Sequence, residues 1–298
     1  MTPPIQRSVM DRLRVHSRVL AVLAAITIVI LACQPTFTAS TVTAPVVGTT
    51  VFAGLVWQSD PSHAFNVVFV PGTGYGDQSV VANRQAFLDD AAIVIGQDFY
   101  QNNAIVSNIT KFDFYFMLPA TNGVVAAGAG VCPTVTWPNL TDAAFADAII
   151  MLHTNFLRDC AWGRQSTDSV TRRVAPVHEF SHSVWGIPDE YCCDGGYWGR
   201  TPIMYNSQAA CTGDAANAGW RNCLRVPDSN CPPTADPGPP SWWRSEGNND
   251  NIMVQFCGNF VQYGPSNWVV IKQRLQALPG AGTINDPSVF APTTWNWP

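Results

Sequence analysis

Charge is scarce in this chain. Only 12% of its 298 residues are Asp, Glu, Lys or Arg, with just two lysines and three glutamates. No basic patch is present, so nucleic acid is not an expected partner. No two cysteines have C-x-x-C spacing, which argues against a cysteine-built metal site. No internal repeat is evident, which excludes a solenoid. Histidine is limited to five residues, none of them after His182. What is abundant is apolar: 47% of residues are hydrophobic, enough for a sizeable core.

The first 33 residues read as an export signal. Arg7, Arg12, Arg14 and Arg18 precede an apolar run, residues 19–32, that is short for a membrane span. The run ends Ile30-Leu31-Ala32-Cys33, which resembles a lipoprotein cleavage box. Cys33 is therefore a candidate lipidation and membrane-attachment site, against ordinary secretion. Residues 34–62 are rich in Thr, Val, Pro and Ser and read as a tether, with one edge strand near residues 51–57. Without residues 1–33 the chain loses four Arg and one Asp, and its net charge becomes −8. Eight cysteines then remain, an even number that suggests up to four disulfides in an exported, extracellular or surface-held protein.

Residues 63–278 form one domain and residues 279–298 a tail. Residues 66–71, 113–118 and 147–152 read as strands, and residues 78–100 and 267–278 have helical spacing. The polar stretch 159–169 reads as a loop, and the Gly-, Cys- and Trp-rich residues after the central motif read as irregular. The fold class expected is α/β (α+β): a mixed twisted sheet packed by helices. A monomer is the default.

The chemistry concentrates in His178-Glu179-Phe180-Ser181-His182. Residues four apart share a helix face, so both imidazoles can reach one metal ion. Glu179 lies beside them, placed to take a proton from water. This H-E-x-x-H arrangement is that of zinc peptidases, and Zn2+ is the expected cofactor. Pro176 must sit in the first turn or kink the helix. Gly186 should end the helix in a left-handed conformation and turn the chain back toward the metal. No histidine follows His182, so the near candidates for a third ligand are the carboxylates there, Asp189 and Glu190.

The full run His178-Glu179-Phe180-Ser181-His182-Ser183-Val184-Trp185-Gly186-Ile187-Pro188-Asp189-Glu190-Tyr191 resembles the signature of the IgA-protease-like metallopeptidase family, a metzincin-like group. That signature usually reads H-E-F-G-H-x-x-x-G-L-x-D-E-Y. Ser181 stands where the family has Gly, and Pro188 precedes the Asp. Residues 66–75 resemble the family's opening strand and Gly-Tyr turn, and residues 251–257 its late methionine segment. The resemblance covers about residues 64–278. It implies a zincin-like fold with the motif on its active-site helix. It favours Asp189 as third ligand, with Glu190 in the outer shell. It also favours Met253 for the methionine turn beneath the metal, whereas proximity in sequence favours Met204. Tyr191 and Tyr205 are candidate donors to the transition state.

These observations point to a zinc endopeptidase acting on protein or peptide substrates, with Glu179 as general base. The competing reading is a non-catalytic extracellular binding protein on the same fold. The intact Glu179 argues against it, because binding alone has no use for a general base.

Overall fold

The structure is a computed structural model that describes residues 51–57, 60–129, 132–172, 174–190, 199–214, 223–225, 242–245, 251–253 and 262–287. The expected leader with Cys33, most of the tether, Tyr191, and Cys192, Cys193, Cys231 and Cys257 lie outside these residues. No described helix is long and apolar enough to cross a membrane.

Six strands form the main sheet: β1 (Val51–Leu55), β2 (Phe65–Pro71), β3 (Phe112–Met117), β6 (Ala148–His153), β7 (Cys160–Trp162) and β8 (Gln165–Ser169), in the order β1-β3-β2-β6-β8-β7. The four inner strands are parallel, and the edge strands β1 and β7 are antiparallel to their neighbours. β2 and β6 are buried along their whole length. That is why they read in sequence as predominantly apolar runs instead of alternating ones. β4 (Val124–Ala126) and β5 (Thr134–Thr136) form a separate hairpin.

The helices α1 (Val81–Val94), α3 (Ala175–Phe180) and α5 (Pro265–Gln276) cover one face of this sheet. The short α2 (Asn103–Val106) lies between α1 and β3 in the chain. Phe69 of β2, Phe114 of β3 and Leu152 of β6 meet Phe87 and Ala91 of α1, Phe180 of α3 and Ile271 of α5 in one core. Val68, Val70, Tyr115 and Ile149 point to the opposite face, where Trp137, Leu140 and Phe145 cover them. The helical stripe expected in residues 78–100 is present from Val81, although Val81 itself is exposed. It ends in a π-helical turn, Ile95–Phe99.

One sequence expectation is overturned. The stretch 159–169 is not a loop: it folds into the antiparallel hairpin of β7 and β8. Gln165–Ser169 pairs residue for residue with Ile149–His153 of β6, so the sheet's own hydrogen bonds override a polar composition. The region after the motif is also less irregular than its composition suggests. β9 (Met204–Tyr205), β10 (Leu224–Arg225) and β11 (Trp243–Arg244) form a small sheet beside α4 (Gln208–Gly213). Two disulfides are present among the described residues: Cys132–Cys160, at the start of β7, and Cys211–Cys223, beside the small sheet. The start of the tail packs on the domain, with Asn285 bonded to Asn108 and Asp286 to Trp268 and Lys272.

Candidate metal centre

α3 begins with Pro176 in its first turn, where a missing N–H costs nothing. From Ser181 the helix widens into a π-helical turn, Ser181–Trp185, and Gly186 ends it at φ 63°. A left-handed residue at that position is what glycine tolerates without strain. The widened turn keeps His182 over His178, with ring centroids 4.8 Å apart and the planes nearly perpendicular.

The chain returns after Gly186, and Asp189 closes a triangle. Its Oδ1 lies 3.1 Å from Nε2 of His178 and 3.2 Å from Nε2 of His182, and the two Nε2 atoms are 3.2 Å apart. The Nδ1 atoms face outward to backbone carbonyls, that of His178 to Ile252 at 2.8 Å and that of His182 to Ile187 at 2.6 Å. A carbonyl only accepts, so each Nδ1 must carry the proton and each Nε2 turns a lone pair inward. Three acceptors then converge on one point, an arrangement that needs positive charge at its centre.

The site's electrostatics show the same demand. Burial alone would depress His182, yet the Asp189 carboxylate overrides it and pushes the imidazole up to about 9. Asp189 in turn is held well below the usual carboxylate range by His182 and His178, despite its burial. A tetrahedral ion with bonds of about 2.0–2.1 Å has ligand-to-ligand edges of about 3.3–3.4 Å. The observed triangle fits that size, and two imidazoles with one carboxylate suit zinc. Among the described residues this is the one His/Cys/Asp/Glu group able to hold a metal.

Glu190 is not part of the triangle. It is fully buried and turned away, with Oε1 accepting from Asn267 Nδ2 at 2.7 Å and Oε2 from Asn251 Nδ2 at 3.3 Å. Its backbone N–H donates to the Met253 carbonyl at 2.9 Å. Glu190 thus fastens the Asp189 loop to α5 and to the segment Asn251, Ile252 and Met253. That segment also supplies the carbonyl that holds His178. Met253 and Met204 are both buried, but the structure brings the backbone of Met253 to the site. Tyr205 is not brought there: its hydroxyl donates to Asp214 at 2.7 Å, and its ring packs with Cys211 and Cys223.

Ser181 takes a specific part. Its hydroxyl donates to the Val177 carbonyl and meets the Tyr263 hydroxyl at 2.7 Å, and Trp185 Nε1 donates to that same hydroxyl at 3.2 Å. Tyr263 thereby ties both ends of the π-helical turn to the residues just before α5. Tyr263→Phe should leave the buried Ser181 and Trp185 short of a partner. The expected loss is about 1–3 kcal/mol of unfolding free energy, read by denaturant titration.

Glu179 is buried beside the triangle, and its carboxylate makes no hydrogen bond or ion pair among the described residues. Burial raises its pKa, against the charges of His178 and His182. Sequence reading missed the acids behind it. Asp168, on β8 under α3, is fully buried, with Ser166 donating to one oxygen and no partner for the other among the described residues. Burial, with the charges of Asp159 and Glu179, holds its pKa well above the ordinary value. Asp159 accepts from the Ser169 N–H at 2.6 Å. Burial outweighs that bond and, with Glu179 nearby, pushes Asp159 up to about 7. The one available signal was the pair of acids inside the run mistaken for a loop.

A carboxyl with a raised folded-state pKa contributes stability that is complete below its unfolded value and is lost as pH rises through its folded value. For Asp159 that window runs from about pH 4 to about 7. Stability should therefore fall by a few kcal/mol across it, and Asp159→Asn should flatten the fall. Thermal unfolding of both proteins across this range is the check.

No protein-family model matches the chain, and no curated protein matches it in sequence.

Proposed function

We propose that this protein is an exported, zinc-dependent endopeptidase with a zincin-like fold. The observation that carries the reading is the inward triangle of His178 Nε2, His182 Nε2 and Asp189 Oδ1, with the buried Glu179 carboxylate beside it. Zinc bound there would supply Lewis acidity for the scissile carbonyl and lower the pKa of water toward neutrality. The chain's own groups do the rest. The Ile252 and Ile187 carbonyls fix both imidazoles in the tautomer that faces inward. Glu179, its proton affinity raised by burial, accepts the proton of the attacking water and returns it to the leaving amine.

Peptide is the substrate class that the surroundings favour. β7 is the edge of the main sheet and packs beside the motif helix. Among the described residues no strand pairs with its outer edge, where an extended peptide can add as a further strand, which supplies affinity without demanding a sequence. The test is cleavage of a denatured protein by the purified chain with zinc, against small esters and amides. Hydrolysis of the protein that a chelator stops supports the reading. Hydrolysis of esters alone, or of nothing, contradicts it.

A further inference from the structure

Two of the three candidate ligands rest on one short piece of chain. His178 stands on α3 and Asp189 on the loop that follows it, yet both are held by Asn251, Ile252 and Met253. The Ile252 carbonyl faces His178 Nδ1 at 2.8 Å. The Met253 carbonyl accepts from the N–H of Glu190, next to Asp189, at 2.9 Å.

One side chain joins these two contacts. Asn251 is buried, and its Oδ1 accepts from the Met253 N–H, two residues on, at 2.7 Å. An Asn that bonds its own backbone in this way closes a local turn. The Met253 N–H and the Ile252 carbonyl belong to the same planar trans peptide and point in opposite directions. Holding that N–H therefore aims the Ile252 carbonyl at His178. The other end of the same amide, Nδ2, donates to Glu190 Oε2 at 3.3 Å, while Asn267 holds Oε1. The segment is also anchored from its far side. The Ile252 N–H donates to the Gln262 carbonyl at 2.9 Å, and the Gln262 side chain bonds the Asn103 N–H and the Gln101 carbonyl.

Resting on the metal site of the reading above, we propose that Asn251 is a positioning residue for zinc. Its Oδ1 sets the direction of the Ile252 carbonyl, and through it the ring and tautomer of His178. Its Nδ2 couples that arm of the site to the loop that carries Asp189. The two ligands then keep one spacing before a metal arrives. Partners that orient a ligand from behind contribute about 10–100-fold in metal affinity, and Asn251→Ala should lose that much.

The experiment measures zinc affinity of the full protein by competition with a chromophoric chelator, and unfolding midpoints on the same preparations. It compares the wild type with Asn251→Ala, Asn251→Ser and Asn66→Ala. A serine hydroxyl can still accept the Met253 N–H, though more weakly, but is too short to hold Glu190. Asn251→Ser should therefore bind zinc more tightly than Asn251→Ala and less tightly than the wild type. Asn66 is also a buried asparagine, bonded to Pro61, Ala64 and Asp147, so Asn66→Ala should lose stability and keep its zinc affinity within about twofold. Wild-type zinc affinity in both Asn251 variants would overturn the proposal, as would a loss no larger than that in Asn66→Ala. If Asn251→Ala does not fold, Asn251→Ser against the wild type decides in the same way. Zinc binding in this order without any peptide cleavage would support the proposal and contradict the peptidase reading. A folded wild type that binds no zinc would contradict both.

Discussion

Glu179→Gln should lower kcat on peptides by about 10²–10⁴-fold while zinc content stays at the wild-type level. The reason lies in what Glu179 touches. Its carboxylate has no hydrogen-bond or ion-pair partner among the described residues, so the substitution removes no bond among them. Gln has nearly the same shape and cannot accept the proton of the attacking water. Metal analysis and kinetics on one preparation separate the two effects. Full activity in Glu179→Gln would remove the general base from the account. Loss of zinc along with activity would mean that Glu179 supports the metal and not the proton transfer.

The second large effect concerns two adjacent acids. Asp189→Asn should weaken zinc binding by more than about a hundredfold, beyond the 10–100-fold that outer partners usually contribute. It should leave the fold standing, because Asp189 Oδ1 has no hydrogen-bond donor among the described residues and faces only the Nε2 atoms of His178 and His182. Glu190→Ala should do the reverse. It removes the acceptor of Asn267 and Asn251 from a fully buried position, at a cost of about 2–4 kcal/mol. Its zinc affinity should fall less than that of Asp189→Asn. The opposite pattern, with zinc lost in Glu190→Ala and kept in Asp189→Asn, would assign the third ligand to Glu190.

What the sequence made legible was local. His178, Glu179 and His182 stand at helical spacing, so their convergence follows from the rise and turn of one helix. Gly186 marks the helix end because its left-handed conformation is one that few other residues adopt, and Asp189 follows within reach. The strands β2 and β6 were visible because these two, buried along their whole length, are predominantly apolar.

The remainder depends on distant partners. β8 reads Gln-Ser-Thr-Asp-Ser, and only pairing with β6 and burial under α3 make it a strand. Asp159 and Asp168 were hidden with it. Asp189 and Glu190 were distinguishable only by family resemblance, because Asn267 and Asn251, which claim Glu190, lie more than sixty residues away. Met253 and Met204 posed the same problem, since the contact that brings Met253 to the site is a backbone bond to Glu190. Ser181 looked like a tolerated change from glycine, and its hydrogen bond to Tyr263, 82 residues on, gives it a partner.

The central claim is that the triangle binds zinc. Its most direct test is the zinc content of the purified protein after equilibration with zinc at neutral pH, wild type beside His182→Ala. The account predicts about one tightly held zinc per chain in the wild type, absent from the variant while the fold persists. No tightly held zinc in a folded wild type, or equal zinc in both proteins, would contradict it.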